Sequence, residues 1–465
     1  MAISKFTVIA LACLAILFSV TMSLYVKPQY ILVLFIIGVL IFVISRIKEH
    51  RLLLITTCLL PFVFIPLEIT HRYIPVTYAI LALVLVVGLK YNVYQLRFNI
   101  MELLLLGLLV FSTLRIGIGL LAEHYPVGHS LDVWAKETSR IIAAFILYRI
   151  AKVEKLKPSI VKGLIVATII MVIIQFYQTA IGLQALLNFG YTTPPFNYNT
   201  ASGDMRAFST FLSPVTYGGY LVMILSFLTW YTPKNKTANL FRIIVVLVSA
   251  VALIATETRS AWIAYAIAIS VVYLLQRKVK LEKLIVCAIF LIPFVILFVL
   301  LFPQVITSLI ERLSTVGNLQ YSSNNIRLQL WSGTLEAMKS HLFAGYGQAD
   351  FTTVLSNYIP RKIAEFAHPH QTYFVILFNY GYAGLFIYLS LFLTVVYSLI
   401  KKIKHKNMQS ELKFSNGALA ACLSFLVVSL FESFWGSFNT IITLFLLIGL
   451  GFKTNDTKTE NESSK

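Results

Sequence analysis

Three arginines and a histidine pair stand where few ionisable residues are expected. Arg206 lies in Met205-Arg206-Ala207-Phe208-Ser209-Thr210-Phe211, at the mouth of an apolar run. Arg259 lies in Thr256-Glu257-Thr258-Arg259-Ser260, between two short apolar runs, so that Glu257 and Arg259 fall at or near membrane depth. Arg327 lies in Asn324-Asn325-Ile326-Arg327-Leu328-Gln329-Leu330-Trp331, inside a long segment between runs. A guanidinium is always charged and clamps two oxygens at once, which suits phosphate. Ionised groups at membrane depth are costly and by default suggest function. Three such groups converging on one cavity would suit a diphosphate. A structural Glu257–Arg259 ion pair with two ordinary loop arginines also accounts for these residues.

The histidines lie in Ala367-His368-Pro369-His370-Gln371-Thr372-Tyr373, where the chain re-enters an apolar run. Imidazole titrates near neutrality and can accept a proton from a hydroxyl. Pro369 holds the backbone extended between the rings. A histidine pair that only hydrogen-bonds headgroups is the plainer alternative. A metal reading lacks a convincing third ligand in the sequence, with His341 a weak candidate, so no metal and no cofactor is expected. Gly345-Tyr346-Gly347 and Gly381-Tyr382-Ala383-Gly384 read as close helix packing. The first lacks the Thr-Val and the pore-helix context of a potassium filter.

The elements that must carry these groups are membrane helices. Of 465 residues, 58% are hydrophobic and 12% charged, against nearly half and about a quarter in soluble domains. Apolar runs near the roughly 20 residues a spanning helix needs recur along the chain. They are continuously apolar, as in Ile165–Ile174 and Leu284–Leu301. That excludes barrel strands, which alternate. The expected spans are Phe6–Val26, Tyr30–Ser45, Leu52–Ile69, Ile74–Leu89, Ile100–Leu120, Trp134–Ala151, Ser159–Gly182, Phe211–Tyr231, Ile243–Thr256, Ser260–Leu275, Leu284–Phe302, Thr372–Ile400, Ala418–Phe431 and Phe438–Phe452. The fold class is therefore all-α, a polytopic bundle of about 12–14 spans. It forms a single membrane domain over 1–453, with a long, partly helical extracytoplasmic loop at 303–371 and a disordered cytoplasmic tail at 454–465.

The net charge of +19 is explained by basic loops: with a cytoplasmic N-terminus, every inside loop is basic and both termini lie inside. No nucleic-acid partner is expected. Met1–Val26 reads as an uncleaved first span, since further spans follow directly. Cys13, Cys58, Cys287 and Cys422 each lie in an apolar run and read as packing residues.

The ordered series Arg327, Trp331, Gly345-Tyr346-Gly347, Phe351, His368-Pro369-His370-Gln371-Thr372-Tyr373, Gly381 and Gly384 resembles the signature region of the O-antigen ligase and O-antigen polymerase family. Arg206-Ala207-Phe208-Ser209-Thr210-Phe211-Leu212-Ser213-Pro214 is similar to the family's Arg-x-x-Gly-Thr-Phe-x-x-Pro stretch, and Thr258-Arg259-Ser260 to its Ser-Arg motif. The ordered matches run from about 206 to 384. Gln371 stands where the family has Asn, and Ser209 where it has Gly. The first keeps an amide, and the second alters a turn.

The resemblance implies an inverting, metal-independent glycosyltransferase in the bacterial inner membrane, with its site on the outer face. Its donor would be a glycan on undecaprenyl diphosphate. His370 would be the catalytic base, and Arg206, Arg259 and Arg327 would bind the diphosphate. His368, Gln371, Glu257, Trp331 and Tyr373 would support them. Positive charge placed where a diphosphate departs, and a base of pKa near the working pH, fit that chemistry. Partners would be the lipid-linked glycan, the bilayer and a chain-length regulator or other assembly proteins. Three activities remain open: a surface-polysaccharide polymerase, an O-antigen ligase acting on lipid A core, and a transporter of lipid-linked glycan. The polymerase is the leading expectation. The transporter fits least, because no internal repeat is visible and the distinctive residues sit in the long loop.

Overall fold

The computed structural model describes residues 49–62, 64–67, 72–75, 77–91, 93, 98–188, 206–211, 213–276, 322–365, 368–405 and 409–453. The expected spans Phe6–Val26, Tyr30–Ser45 and Leu284–Phe302, the loop segment 303–321 and the tail 454–465 lie outside the described residues.

The protein is a helical membrane bundle. In chain order come α1 (Glu49–Leu59), a hairpin of β1 (Phe64–Leu67) and β2 (Arg72–Pro75), α2 (Thr77–Lys90), α3 (Ile100–Leu121) and α4 (Val127–Ala151). These are followed by α5 (Lys157–Asn188), α6 (Pro214–Trp230), α7 (Lys236–Ala255) and α8 (Arg259–Gln276). Then come α9 (Ser322–Met338), α10 (Phe351–Leu355), α11 (Arg361–Ala364), α12 (Thr372–His405), α13 (Gln409–Val428) and α14 (Phe438–Leu450). Among the described residues, six helices are long and apolar enough to cross a membrane: α3, α5, α7, α8, α12 and α13.

One expected span fails. Leu52–Ile69 stops being helical at Leu59, and the antiparallel hairpin pairs Phe64 with Pro75 and Leu67 with Arg72. Pro61 and Pro66 are the physical reason, since an internal proline removes a helical hydrogen bond and clashes with the preceding turn.

The middle of the bundle is made from two short helices. α14 is buried from Asn439 to Leu450, and α6 buries Tyr217 through Leu228. A helix apolar on all sides belongs in an interior. At 1.5 Å per residue α14 is roughly 20 Å long, well short of a hydrocarbon layer of about 30 Å. Its C-terminal end is fixed among the basic loops: Lys402 Nζ donates to the Gly451 carbonyl (3.0 Å) and Lys157 Nζ to that of Phe452 (2.8 Å). The shortfall therefore falls at the opposite end, that of the loop 429–437.

A second, smaller core lies in the long loop. Leu330, Ala337, Phe351, Leu355 and Ala364 pack with Phe378 of α12. The loop is thus folded around its own apolar cluster and docked on the helix that follows the histidines.

That docking exploits a break. α12 is interrupted at Gly381, whose φ is 64°. The break withdraws Phe378 O, Asn379 O, Tyr382 N and Ala383 N from helical pairing. The loop satisfies all four: Tyr346 N donates to Phe378 O (2.7 Å), Gly347 N to Asn379 O (2.9 Å), Tyr382 N to Leu342 O (2.9 Å) and Ala383 N to Phe343 O (3.2 Å). Irregular backbone at membrane depth survives only when protein covers it in this way. A Cβ at Gly381 would collide with Phe343 O, so the two chains approach this closely only at glycine. From α3, Arg115 locks the loop, donating through Nε to Ala344 O (3.2 Å) and through Nη2 to Gly345 O (3.0 Å) and Glu123 (2.8 Å).

Candidate functional site

Two corners form at the end of the bundle away from the basic loops. The first gathers Arg206 with the α7–α8 turn. Ser213 caps α6, accepting from Val215 N, and Pro214 opens the helix, which therefore begins three residues after the expected start at Phe211. Ala207 N then bonds Ala255 O (3.2 Å), laying the Arg206 segment along the end of α7. The guanidinium donates to Thr256 O through Nε (3.1 Å) and Nη2 (2.9 Å), and also through Nη2 to Glu257 O (3.3 Å) and Thr258 Oγ1 (3.3 Å). The Glu257 carboxylate stands 4.0 Å from Nε. Arg259 opens α8 at the same turn and is half-buried.

The second corner gathers the histidines with the loop 429–437. Thr372 N bonds Ser429 O (2.9 Å), Thr372 Oγ1 donates to Glu432 O (2.9 Å), and Phe434 N donates to Thr372 Oγ1 (3.0 Å). This lacing brings the Glu432 carboxylate 3.2 Å from His370 Nδ1. An ionised carboxylate only accepts, so it selects the tautomer with the proton on Nδ1 and the lone pair on Nε2. The backbone N–H of His370 donates to His368 Nδ1 (3.1 Å), and the two rings stand 4.1 Å apart.

Burial would raise the Glu432 carboxyl, but the His370 hydrogen bond, the charge carried by either imidazole when protonated and the Ser433 N–H outweigh it and hold it below its usual range. Burial and the neighbouring His370 push His368 below the usual imidazole range, with Glu432 opposing. His368, His370 and Glu432 each offer a ligand atom, all within 4.8 Å of one another. Glu432 thus supplies the third ligand type that the sequence did not disclose. His341 lies elsewhere, against Ser340 and Tyr346.

The corners are joined through the first turns of α6. Gly218 faces the side chains of Thr256 and Thr258, where a Cβ would be tight, and the adjacent Gly219 lies against the Phe434 ring, leaving no room for one. Contacts therefore run from Arg206 through Thr258, Gly218, Gly219 and Phe434 to Thr372 and His370. Arg206 and Arg259 share the α7–α8 turn, and His370 belongs to the other corner. Arg327 lies half-buried on α9, one turn before Trp331, whose Nε1 donates to Pro369 O (2.8 Å) and whose ring stacks on Phe374 at 5.8 Å. Trp331 holds the histidine turn. Tyr373 faces the bundle, its hydroxyl bonded to Leu426 O (2.8 Å) and its ring edge-on to Tyr388. Gln371 is buried, its side-chain oxygen without a hydrogen-bond partner among the described residues.

Backbone strain marks the same region. Among the described residues, four that are not glycine have φ near +50°, and three of them are Ser209, Glu257 and His370; the fourth is His124. Such conformations cost about 1–3 kcal/mol each and persist only where the surroundings impose them. Position 209 is one where glycine would be at ease. Ser209 holds the turn by donating to Met171 O (2.7 Å) and accepting from Gln178 Nε2 (2.9 Å).

Sequence reasoning missed Glu432, Arg115 and the pair Glu137–Arg140. Arg140 is 3% exposed and lies 5.3 Å from the Trp435 ring, beneath the loop that carries Glu432. All four are charges within or between apolar runs, the signal that singled out Arg259.

The fold and site define a multi-span helical membrane bundle with arginines at one turn and an imidazole–carboxylate pair at another, both at the end away from the basic loops. Residues 244–389, about a third of the chain, match the family model described as O-antigen ligase, which bears out the resemblance read from the motifs. The match includes Arg259, Arg327, His370 and Gly381 and stops short of Arg206 and Glu432. The match supports an activity of the O-antigen ligase or polymerase type in an integral membrane protein. No curated protein matches the chain.

Proposed function

We infer that the protein is a metal-independent, inverting glycosyltransferase that takes its glycan from a polyprenyl diphosphate, in the manner of a surface-polysaccharide polymerase. The reading places the site on the outer face of the plasma membrane, opposite the basic loops, with both termini cytoplasmic. The observation that carries it is the His370–Glu432 pair. With Nδ1 engaged, Nε2 of His370 takes the proton of an acceptor hydroxyl as that oxygen bonds the anomeric carbon. The bond from that carbon to the diphosphate breaks on the opposite side, inverting the centre. Arg206, Arg259 and Arg327 receive the negative charge that departs with the lipid diphosphate, and positive groups fixed in advance at such a position lower the barrier. His368 is a neutral neighbour that fixes the His370 backbone.

The family description names a ligase, which keeps the transfer of finished polymer to lipid A core as the second reading. The two differ in the acceptor. A deletion strain showing one repeat unit on lipid A core supports the polymerase, and one accumulating polymer on the lipid carrier supports the ligase. Transfer by purified protein without an ion gradient tests both against a transporter. Failure of transfer together with gradient-driven movement of lipid-linked glycan rejects the enzyme.

A further inference from the structure

We propose that His368, His370 and Glu432 form a binding site for a divalent transition-metal ion of the zinc type, and that an ion bound there blocks transfer. Two imidazoles and one carboxylate are a ligand set that zinc-type ions accept, with a fourth position left to water. Three structural facts bring the set together. The histidines are separated only by Pro369, and the backbone bond from His370 N to His368 Nδ1 fixes their rings 4.1 Å apart. Glu432 is held beside them by the Thr372 bonds, 3.2 Å from His370 Nδ1. The ligand atoms lie within 4.8 Å of one another, whereas ligands about 2.0–2.2 Å from a tetrahedral ion stand roughly 3.4 Å apart. Small side-chain rotations close that difference.

The consequence for activity rests on the assignment of His370 as base. An ion held by His370 occupies a lone pair of the ring and draws Glu432 away from orienting it, so the imidazole cannot take up the acceptor's proton. The same three residues serve transfer when empty and stop it when filled. The site is an inhibitory one, consistent with a reaction that needs no metal.

Cobalt(II), titrated into the purified full-length protein in lipid nanodiscs, is the probe. One equivalent should bind, with visible absorption bands typical of nitrogen and oxygen ligands. Glu432→Gln and His368→Ala should each weaken binding by more than about tenfold. No binding, or binding unchanged in both variants, overturns the site. Unmutated protein supplies an independent reading. Zinc should shield His368 and His370 from diethyl pyrocarbonate, mapped by peptide mass spectrometry, while His50 and His405 stay reactive; equal reactivity with and without zinc overturns the site. Zinc should then stop transfer, and a chelator should restore it. Full transfer with the site loaded overturns the inhibition and removes His370 as base. Loss of transfer in His370→Ala without cobalt binding to the wild type leaves the base standing and removes only the metal site.

Discussion

The two corners of the site are built on opposite electrostatic plans. Arg206 is held by backbone carbonyls of Thr256 and Glu257 and a threonine hydroxyl, with a carboxylate only at 4.0 Å. His370 is held by a carboxylate at 3.2 Å and by the backbone of its own turn. Carbonyl dipoles orient a guanidinium through its N–H groups, and the Glu257 carboxylate stands 4.0 Å from Nε. A carboxylate orients an imidazole and stabilises the cation that forms when the ring takes a proton. The difference teaches that one side chain is held by carbonyl oxygens and the other by a carboxylate, and under the proposed function it separates a fixed charge from a moving proton. It also assigns different costs to breaking them.

The largest expected loss is at the proton corner. His370→Ala should lower transfer by about 10²–10⁴-fold, the usual contribution of a positioned base. The helical content and melting temperature should stay near wild type, because the ring is partly exposed and packs no core. Wild-type turnover in a well-inserted variant ends the base assignment.

The arginine corner should fail on two measures at once. Arg206→Met removes the guanidinium donor from the Thr256 and Glu257 carbonyls, leaving Thr256 O with only the longer bond from Thr258 Oγ1 (3.3 Å), a loss of about 1–3 kcal/mol that thermal unfolding in nanodiscs will read. Activity should also fall, by about 10²–10³-fold if the cation meets the departing diphosphate. Arg206→Lys keeps the charge but loses the fork, so it should regain part of the stability and little of the rate. A variant that regains full rate along with stability would make Arg206 a structural clamp and leave the diphosphate to Arg259 and Arg327.

Glu432→Gln should come next, at about 10–10²-fold, the range found when a group orienting a functional histidine is altered. The loss should appear in kcat, with the donor's KM unchanged, because the carboxylate acts through His370. A rise in KM alone would place Glu432 against substrate and blur the contrast between the corners.

How far these corners were legible in the sequence follows from the range of the interactions. The helical class, most spans and the functional weight of Arg206, Arg259 and His370 are local properties of composition and motif. Glu432 is 62 positions from His370 in the chain, and its role exists only because Thr372 is laced to the loop 429–437. Gly345, Gly347 and Gly381 read as packing residues, and they are. What no local pattern discloses is that the loop replaces two successive helical hydrogen bonds of α12. Trp331 and Tyr373 read only as supporting residues because an aromatic at an interface has many uses, and only the fold shows Trp331 tied to Pro369 and Tyr373 turned to Leu426. The break of Leu52–Ile69 was visible in Pro61 and Pro66 but outweighed by the surrounding apolar residues.

The smallest expected effect tests the turn that presents Arg206. Ser209 sits at φ 50°, where a glycine would relieve about 1 kcal/mol or more of strain but lose the bond from Oγ to Met171 O, worth about 1 kcal/mol. The two nearly cancel, so Ser209→Gly should melt close to wild type and transfer at close to its rate. Ser209→Val keeps neither advantage. A β-branched residue is a true outlier at positive φ, and its buried methyls would replace the hydroxyl facing Met171 O. The valine variant should therefore lose stability and weaken the corner on Arg206, while His370 and Glu432, laced to a different loop, keep their geometry. Equal behaviour of the two variants would mean that the strained turn does not position Arg206, and that the Ala207–Ala255 bond and the carbonyls of the α7–α8 turn suffice.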